Sequence, residues 1–124
     1  MGQPTGVVRT VLRAEAAGVA VAMSIVAWHL GPPWWLVVLV LVAPDLSLTG
    51  YTRGPRVGAA VYNAAHTYVG PLVVAGVWLV SDNRTAAEVA ALWALHIGVD
   101  RALGFGLKSP AGFGETHLGK VGRR

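Results

Sequence analysis

Four apolar stretches, parted only by short polar breaks, leave this 124-residue chain little choice of fold. About 20 residues of helix cross the hydrocarbon core of a bilayer, and in lipid every backbone N–H and C=O must be satisfied internally. The stretches cover 7–30, 34–48, 57–80 and 85–107. The chain therefore reads as one all-α domain, a polytopic four-helix membrane bundle over 1–124, ending in a polar cytoplasmic tail over 108–124. Charged residues make up only 13% of it, about half the share of a soluble domain, so an ordinary solvated surface is excluded. It has no cysteine, which removes disulfides, thiolate metal sites and thiol catalysis.

The breaks have physical causes. Gly31-Pro32-Pro33 cannot continue a helix, so the first span ends there. Pro44 interrupts the second span just before Asp45 and predicts a broken segment. In the third, Pro71 has no amide to offer the Thr67 carbonyl, one turn from His66, and freed backbone of this kind lines cavities in membrane proteins. Ser81-Asp82-Asn83-Arg84 separates the last two stretches, and Thr85 with Glu88 has the spacing of a capping box. Arg9 and Arg13 before an apolar run resemble a signal peptide. A second apolar segment follows at once, however, so the first reads as a retained span.

The net charge of +4 and a pI near 10.1 could suggest nucleic acid. The cations instead sit in the breaks, as membrane flanks do, and no nucleic-acid partner is expected. Nine of the ten Lys and Arg residues fall on one side of a four-span arrangement, Arg84 being the exception. The positive-inside rule then puts both termini in the cytoplasm. Trp28, Trp34, Trp35 and Trp78 fall near the opposite ends of the spans, as an interfacial aromatic belt would.

This topology gathers the unusual residues at comparable depth. Glu15 lies just inside the cytoplasmic end of span one, and Asp45 near that end of span two. His66 stands ten residues past Arg56, about 15 Å along a helix; His96 lies at similar depth, with Asp100 one turn nearer the cytoplasm. Ionisable groups inside a span are costly, face the bundle interior and mark function by default. His96 and Asp100, and likewise Tyr62 and His66, are four residues apart and share a helix face; Asn63 and His66 are three apart. Imidazoles and carboxylates from facing helices suit zinc, iron or manganese, although neither HExxH nor paired ExxH is present. Each residue also has a structural reading: Glu15 pairing with Arg9 or Arg13, Asp100 fixing His96 or pairing with Arg101, Asp45 capping a broken helix. His29 reads as an interfacial polar tip, and Gly58, Ala59, Ala60, Ala64 and Ala65 as a helix-packing surface.

The strings PDLSLTGY (Pro44 to Tyr51), GPRVGAAVYNAAHTYVGP (Gly54 to Pro71), HIGVDRALGFGLK (His96 to Lys108) and FGETHLG (Phe113 to Gly119) follow one another in order. Together they resemble the small bacterial integral membrane proteins of domain-of-unknown-function family 4260, over nearly the whole chain. The resemblance implies membrane location and no particular reaction. It points to Glu15, Asp45, Asn63, His66, His96, Asp100, Arg101 and His117 as motif positions. Phe105 and Ser109 depart from it, standing where the family is associated with tyrosine. A looser likeness, by analogy only, is to membrane-bound metal-dependent hydrolases, which also combine a Pro-Asp helix end with several histidines. Eight arginines against two lysines, with abundant alanine and valine, fit a GC-rich bacterium, hence the inner membrane.

Three functions compete. In the first, His66, His96, Asp100, Asp45, Glu15 and His117 hold a divalent metal, with Glu15, Asp45 and Asp100 as candidates for the catalytic base. Tyr62, Asn63 and Arg101 support the site, and a lipid-like substrate is hydrolysed. In the second, the same groups relay protons or cations; the apolar outer half then demands a partner or a homo-oligomer to complete the path. In the third, they form a polar network that specifies packing in a membrane assembly. No nucleotide loop, nucleophile elbow or haem-attachment motif is present.

Overall fold

A computed structural model describes residues 6–109, 112–116 and 118–120. Helix α1 (Gly6–Leu30) is followed by α2 (Trp34–Val42), a 3-10 helix (Ala43–Arg53), α3 (Pro55–His66), α4 (Val69–Ser81) and α5 (Arg84–Ala102). Strands β1 (Lys108–Ser109), β2 (Gly112–Thr116) and β3 (Gly119–Lys120) complete the order.

Three helical segments are long and apolar enough to cross a bilayer: Gly6–Leu30, Trp34–Arg53 and Pro55–Ser81. The chain is thus a helical membrane bundle. The stretch read as the fourth span, α5, is of a different kind. Its 19 residues include Arg84, Glu88, Asp100 and Arg101, and nine of its residues are buried. It packs against α1, α2 and α4. A helix screened from lipid by its neighbours can carry charged groups, and Glu88 of α5 is buried.

Helices α1 and α5 run antiparallel. Arg84 Nη2 donates to the Leu30 carbonyl at one end of the pair; at the other, Arg13 Nε donates to the Ala102 carbonyl at 2.8 Å, a cation at a helix C-terminus. They approach closely at Gly98, where a Cβ would lie 3.0 Å from both the Ala16 carbonyl oxygen and the Ala20 nitrogen. Helix α1 stops where Gly31 takes φ +64°, and its amide closes back on the Ala27 carbonyl at 2.9 Å, the left-handed C-terminal turn that glycine favours. The N-terminus of α5 differs from the expected capping box. Asn83 is the cap, its side chain accepting from the Ala86 amide at 3.1 Å, while Glu88 pairs with Arg84 at 3.4 Å.

Both proline breaks are present. After Pro44 the second span continues as a 3-10 helix of 11 residues, long for a form that is rarely more than 3–4 residues. Hydroxyls within it repeat the three-residue period: Ser47 donates to the Pro44 carbonyl, Thr49 to Leu46 and Thr52 to Thr49, at 2.6–2.8 Å. Between α3 and α4, Thr67 is extended at φ −97° and ψ 150°. The carbonyls exposed by this break are met from α5. Trp93 Nε1 donates to the Ala65 carbonyl at 2.6 Å, and Arg101 Nη2 to that of His66 at 3.4 Å.

The described residues of the tail carry strand structure that its glycine-rich composition does not predict. Its three short strands form an antiparallel sheet in the order β1-β2-β3, with Lys108 opposite Thr116 and Glu115 opposite Lys120. Asn63 of α3 holds it in place: its Nδ2 donates to the Lys108 carbonyl at 2.8 Å, and its Oδ1 accepts from the Lys108 amide at 2.6 Å.

Candidate metal centre

Proline chemistry prepares the site. In a 3-10 helix the amide of residue 44 would serve the carbonyl of residue 41. Pro44 has no amide to offer it, and the Leu41 carbonyl accepts from His96 Nδ1 of α5 at 2.7 Å. His66, the last residue of α3, turns its own Nδ1 to the Tyr62 carbonyl at 2.9 Å. Tyr62 also stacks its ring on the imidazole, with centroids 3.8 Å apart and planes 7° from parallel. A carbonyl can only accept, so each Nδ1 is assigned as the donor. In each neutral ring this leaves the Nε2 lone pair free.

Those two lone pairs share one space. The Nε2 atoms of His66 and His96 lie 3.2 Å apart. Asp45 Oδ1 stands 3.3 Å from His66 Nε2 and 3.1 Å from His96 Nε2; Asp100 Oδ2 stands 3.4 Å and 3.2 Å from the same atoms. All four potential ligand atoms lie within 4.8 Å of one another. A tetrahedral ion with ligands at about 2.0 Å has ligand–ligand edges of about 3.3 Å; five of the six edges here fall at 3.1–3.4 Å, while the Asp45–Asp100 edge is wider, within the 4.8 Å span of the group. Two acceptor nitrogens in contact repel unless a cation lies between them or one ring carries a second proton. The donor set of two imidazoles and two carboxylates suits a borderline divalent ion, and its two negative charges would balance that ion in a poorly solvated setting.

Access is asymmetric. The side chains of His66 and His96 are 3% and 8% exposed, Asp100 23% and Asp45 53%. The cluster is therefore sealed by α3 and α5 and open on the side of the 3-10 helix. Around it, Arg101 lies 4.6 Å from the Tyr68 ring centroid and Lys108 Nζ 5.0 Å from that of Tyr62. Burial pushes the Lys108 ammonium below the ordinary lysine range, and the Asp100 charge opposes part of that shift.

Of the residues singled out by sequence, Asp45, His66, His96 and Asp100 converge; Tyr62 stacks on His66, Arg101 donates to its carbonyl, and Asn63 bonds the Lys108 backbone instead. Glu15 does not join the cluster. It is exposed on α1 beside a separate pocket with Tyr68, Arg101 and Leu118. His117 lies outside the described residues. Sequence reasoning missed Trp93 and the Leu41 carbonyl. Their signals were a tryptophan in mid-helix, away from either interface, and an acceptor three residues before a proline.

The sequence pattern of the family described as a domain of unknown function, DUF4260, matches residues 9–121. This chain belongs to that family. Comparison with curated proteins and with solved structures gives no match. The DUF4260 match takes in the 3-10 helix, the α3–α4 break and all four converging side chains.

Proposed function

We propose that this DUF4260 chain is a multi-pass membrane metalloprotein that binds one divalent transition metal, zinc, iron or manganese, through His66, His96, Asp100 and Asp45. One observation carries the reading: the convergence of two Nε2 atoms and two carboxylate oxygens within 4.8 Å of one another, with both Nδ1 atoms already engaged by carbonyls. His66 and His96 orient the site, Asp100 adds a half-buried carboxylate, and Asp45 is the ligand at the open side, placed to exchange with an incoming oxygen. A metal held there would acidify a bound water and polarise an ester or phosphoester oxygen. The activity that follows is hydrolysis of a lipid-like substrate arriving from the bilayer.

The positive-inside rule supports a cytoplasmic placement for both termini and for the centre, in the inner membrane of a bacterium. Equilibrium dialysis of the full chain in detergent against Zn2+, Fe2+ and Mn2+ tests the binding step. About one ion per chain is expected for the preferred metal, with loss in Asp100→Asn. Hydrolysis is tested on fluorogenic lipid esters and phosphoesters in mixed micelles. Turnover should require the metal and stop with chelator; chelator-insensitive turnover, or none with a loaded centre, refutes the hydrolytic step. Full structural integrity with no metal bound would favour the polar-network reading, in which a second proton bridges the two rings.

A further inference from the structure

The face of α5 opposite the metal centre borders a second cavity system. Ala87, Ala90, Ala91, Ala94 and Arg101 recur at helical spacing on one face, while His96 and Asp100 occupy the other. With only methyl groups at the alanines, α1, α4 and α5 leave an apolar cleft of about 540 Å³, from Leu30 and Trp78 at the tryptophan end down to Tyr68. A smaller pocket of about 120 Å³, walled in part by Glu15 and Arg101, shares Val19 and Tyr68 with the cleft. Two buried polar atoms belong to residues of this wall. The Tyr68 hydroxyl and Arg101 Nε have no hydrogen-bond partner among the described residues, a condition that costs free energy until a ligand supplies the acceptor. Glu15, exposed at the same pocket, offers the opposite charge.

The combination specifies its occupant. A guanidinium and a phenol require an anionic acceptor, the neighbouring carboxylate requires a cationic donor, and the cleft requires a hydrocarbon chain. We propose that this site binds one phospholipid whose head group joins a phosphate to a primary ammonium, as in phosphatidylethanolamine. The phosphate meets Arg101 and Tyr68, the ammonium meets Glu15, and one acyl chain lies in the cleft toward the tryptophan end. A glycerol head group would leave Glu15 without a cation, and the quaternary ammonium of choline has no N–H to donate. Basic pockets between membrane helices are established head-group sites. The lipid site needs no bound metal, although Arg101 Nη2 also donates to the His66 carbonyl.

Native mass spectrometry of the full detergent-purified chain decides it, with dioleoyl phosphatidylethanolamine, phosphatidylcholine and phosphatidylglycerol supplied in equal amounts. One phosphatidylethanolamine per chain should be retained, in about tenfold excess over each competitor, as one charge-assisted contact allows. In Glu15→Gln the preference over phosphatidylcholine should fall to about twofold or less. Ala75→Phe, which fills the cleft from α4, should reduce retention of every lipid by at least about tenfold. Equal retention of the three lipids, a preference for phosphatidylglycerol, or a preference unchanged in Glu15→Gln would overturn the proposal.

Discussion

At the scale of single residues, the centre depends on acceptors as much as on ligands. His96 joins the Leu41 carbonyl to the ligand cluster, so its loss removes a donor to buried backbone as well as a ligand. His96→Ala should therefore abolish metal binding and also lower thermal stability, by about 1–3 kcal/mol. A variant that loses metal with no change in melting would contradict the role given to the Leu41 contact. Asn63 contributes differently, since both of its bonds go to the backbone of Lys108. Asn63→Ala should free the tail from α3, at a cost of about 1–3 kcal/mol, and limited proteolysis should then cut near Lys108 at least several times faster. All four converging residues were legible in the sequence, because ionisable groups inside a span are rare enough to single themselves out; His117, read with them, lies outside the described residues. Glu15 was misplaced for a definite reason. Counting from a span end gives depth along the membrane normal but says nothing of rotation, and Glu15 lies toward the Arg101 face of α5, away from His96 and Asp100. On α5 itself rotation was fixed, because residues four apart must share a face, and there the reading of His96 with Asp100 agrees with the structure.

At the scale of elements, two prolines and one glycine set the geometry. Pro44 and Pro71 were readable as breaks, since the missing amide is a property of the residue itself. The form that follows Pro44 was not. An 11-residue 3-10 helix depends on Ser47, Thr49 and Thr52 all bonding back three residues, a choice that competes closely with α-helix and is decided by packing on α3. The strands of the tail were equally hidden, because glycine-rich segments carry little strand propensity and this sheet is tied to Asn63, forty-five residues earlier in the chain. Gly98 makes the contact between α1 and α5, and its replacement tests that contact directly. Gly98→Val would press side-chain atoms onto the Ala16 and Ala20 backbone and should destabilise the bundle by about 1–3 kcal/mol. Denaturant unfolding followed by circular dichroism reads the effect; a stability equal to wild type would mean that α1 and α5 do not meet there.

At the scale of the whole molecule, a charged central helix is wrapped by three apolar segments, with exposed Trp28, Trp34, Trp35 and Trp78 near one end. His96 lies twelve residues from Arg84, about 18 Å from that end along the axis, which places the centre in the arginine-rich half. The absence of native cysteine makes orientation directly testable with single introduced thiols. Ser81→Cys at the tryptophan end should react with a membrane-impermeant maleimide in intact cells, and Arg56→Cys only after permeabilisation; the reverse pattern would invert the proposed topology. The central claim, that the four converging side chains hold a metal, is tested most directly by elemental analysis of the full chain purified without added metal, wild type beside His96→Ala. The account predicts about one divalent transition metal per wild-type chain and a loss of at least about tenfold in the variant. No stoichiometric metal in the wild type, or equal metal in the two proteins, would contradict it.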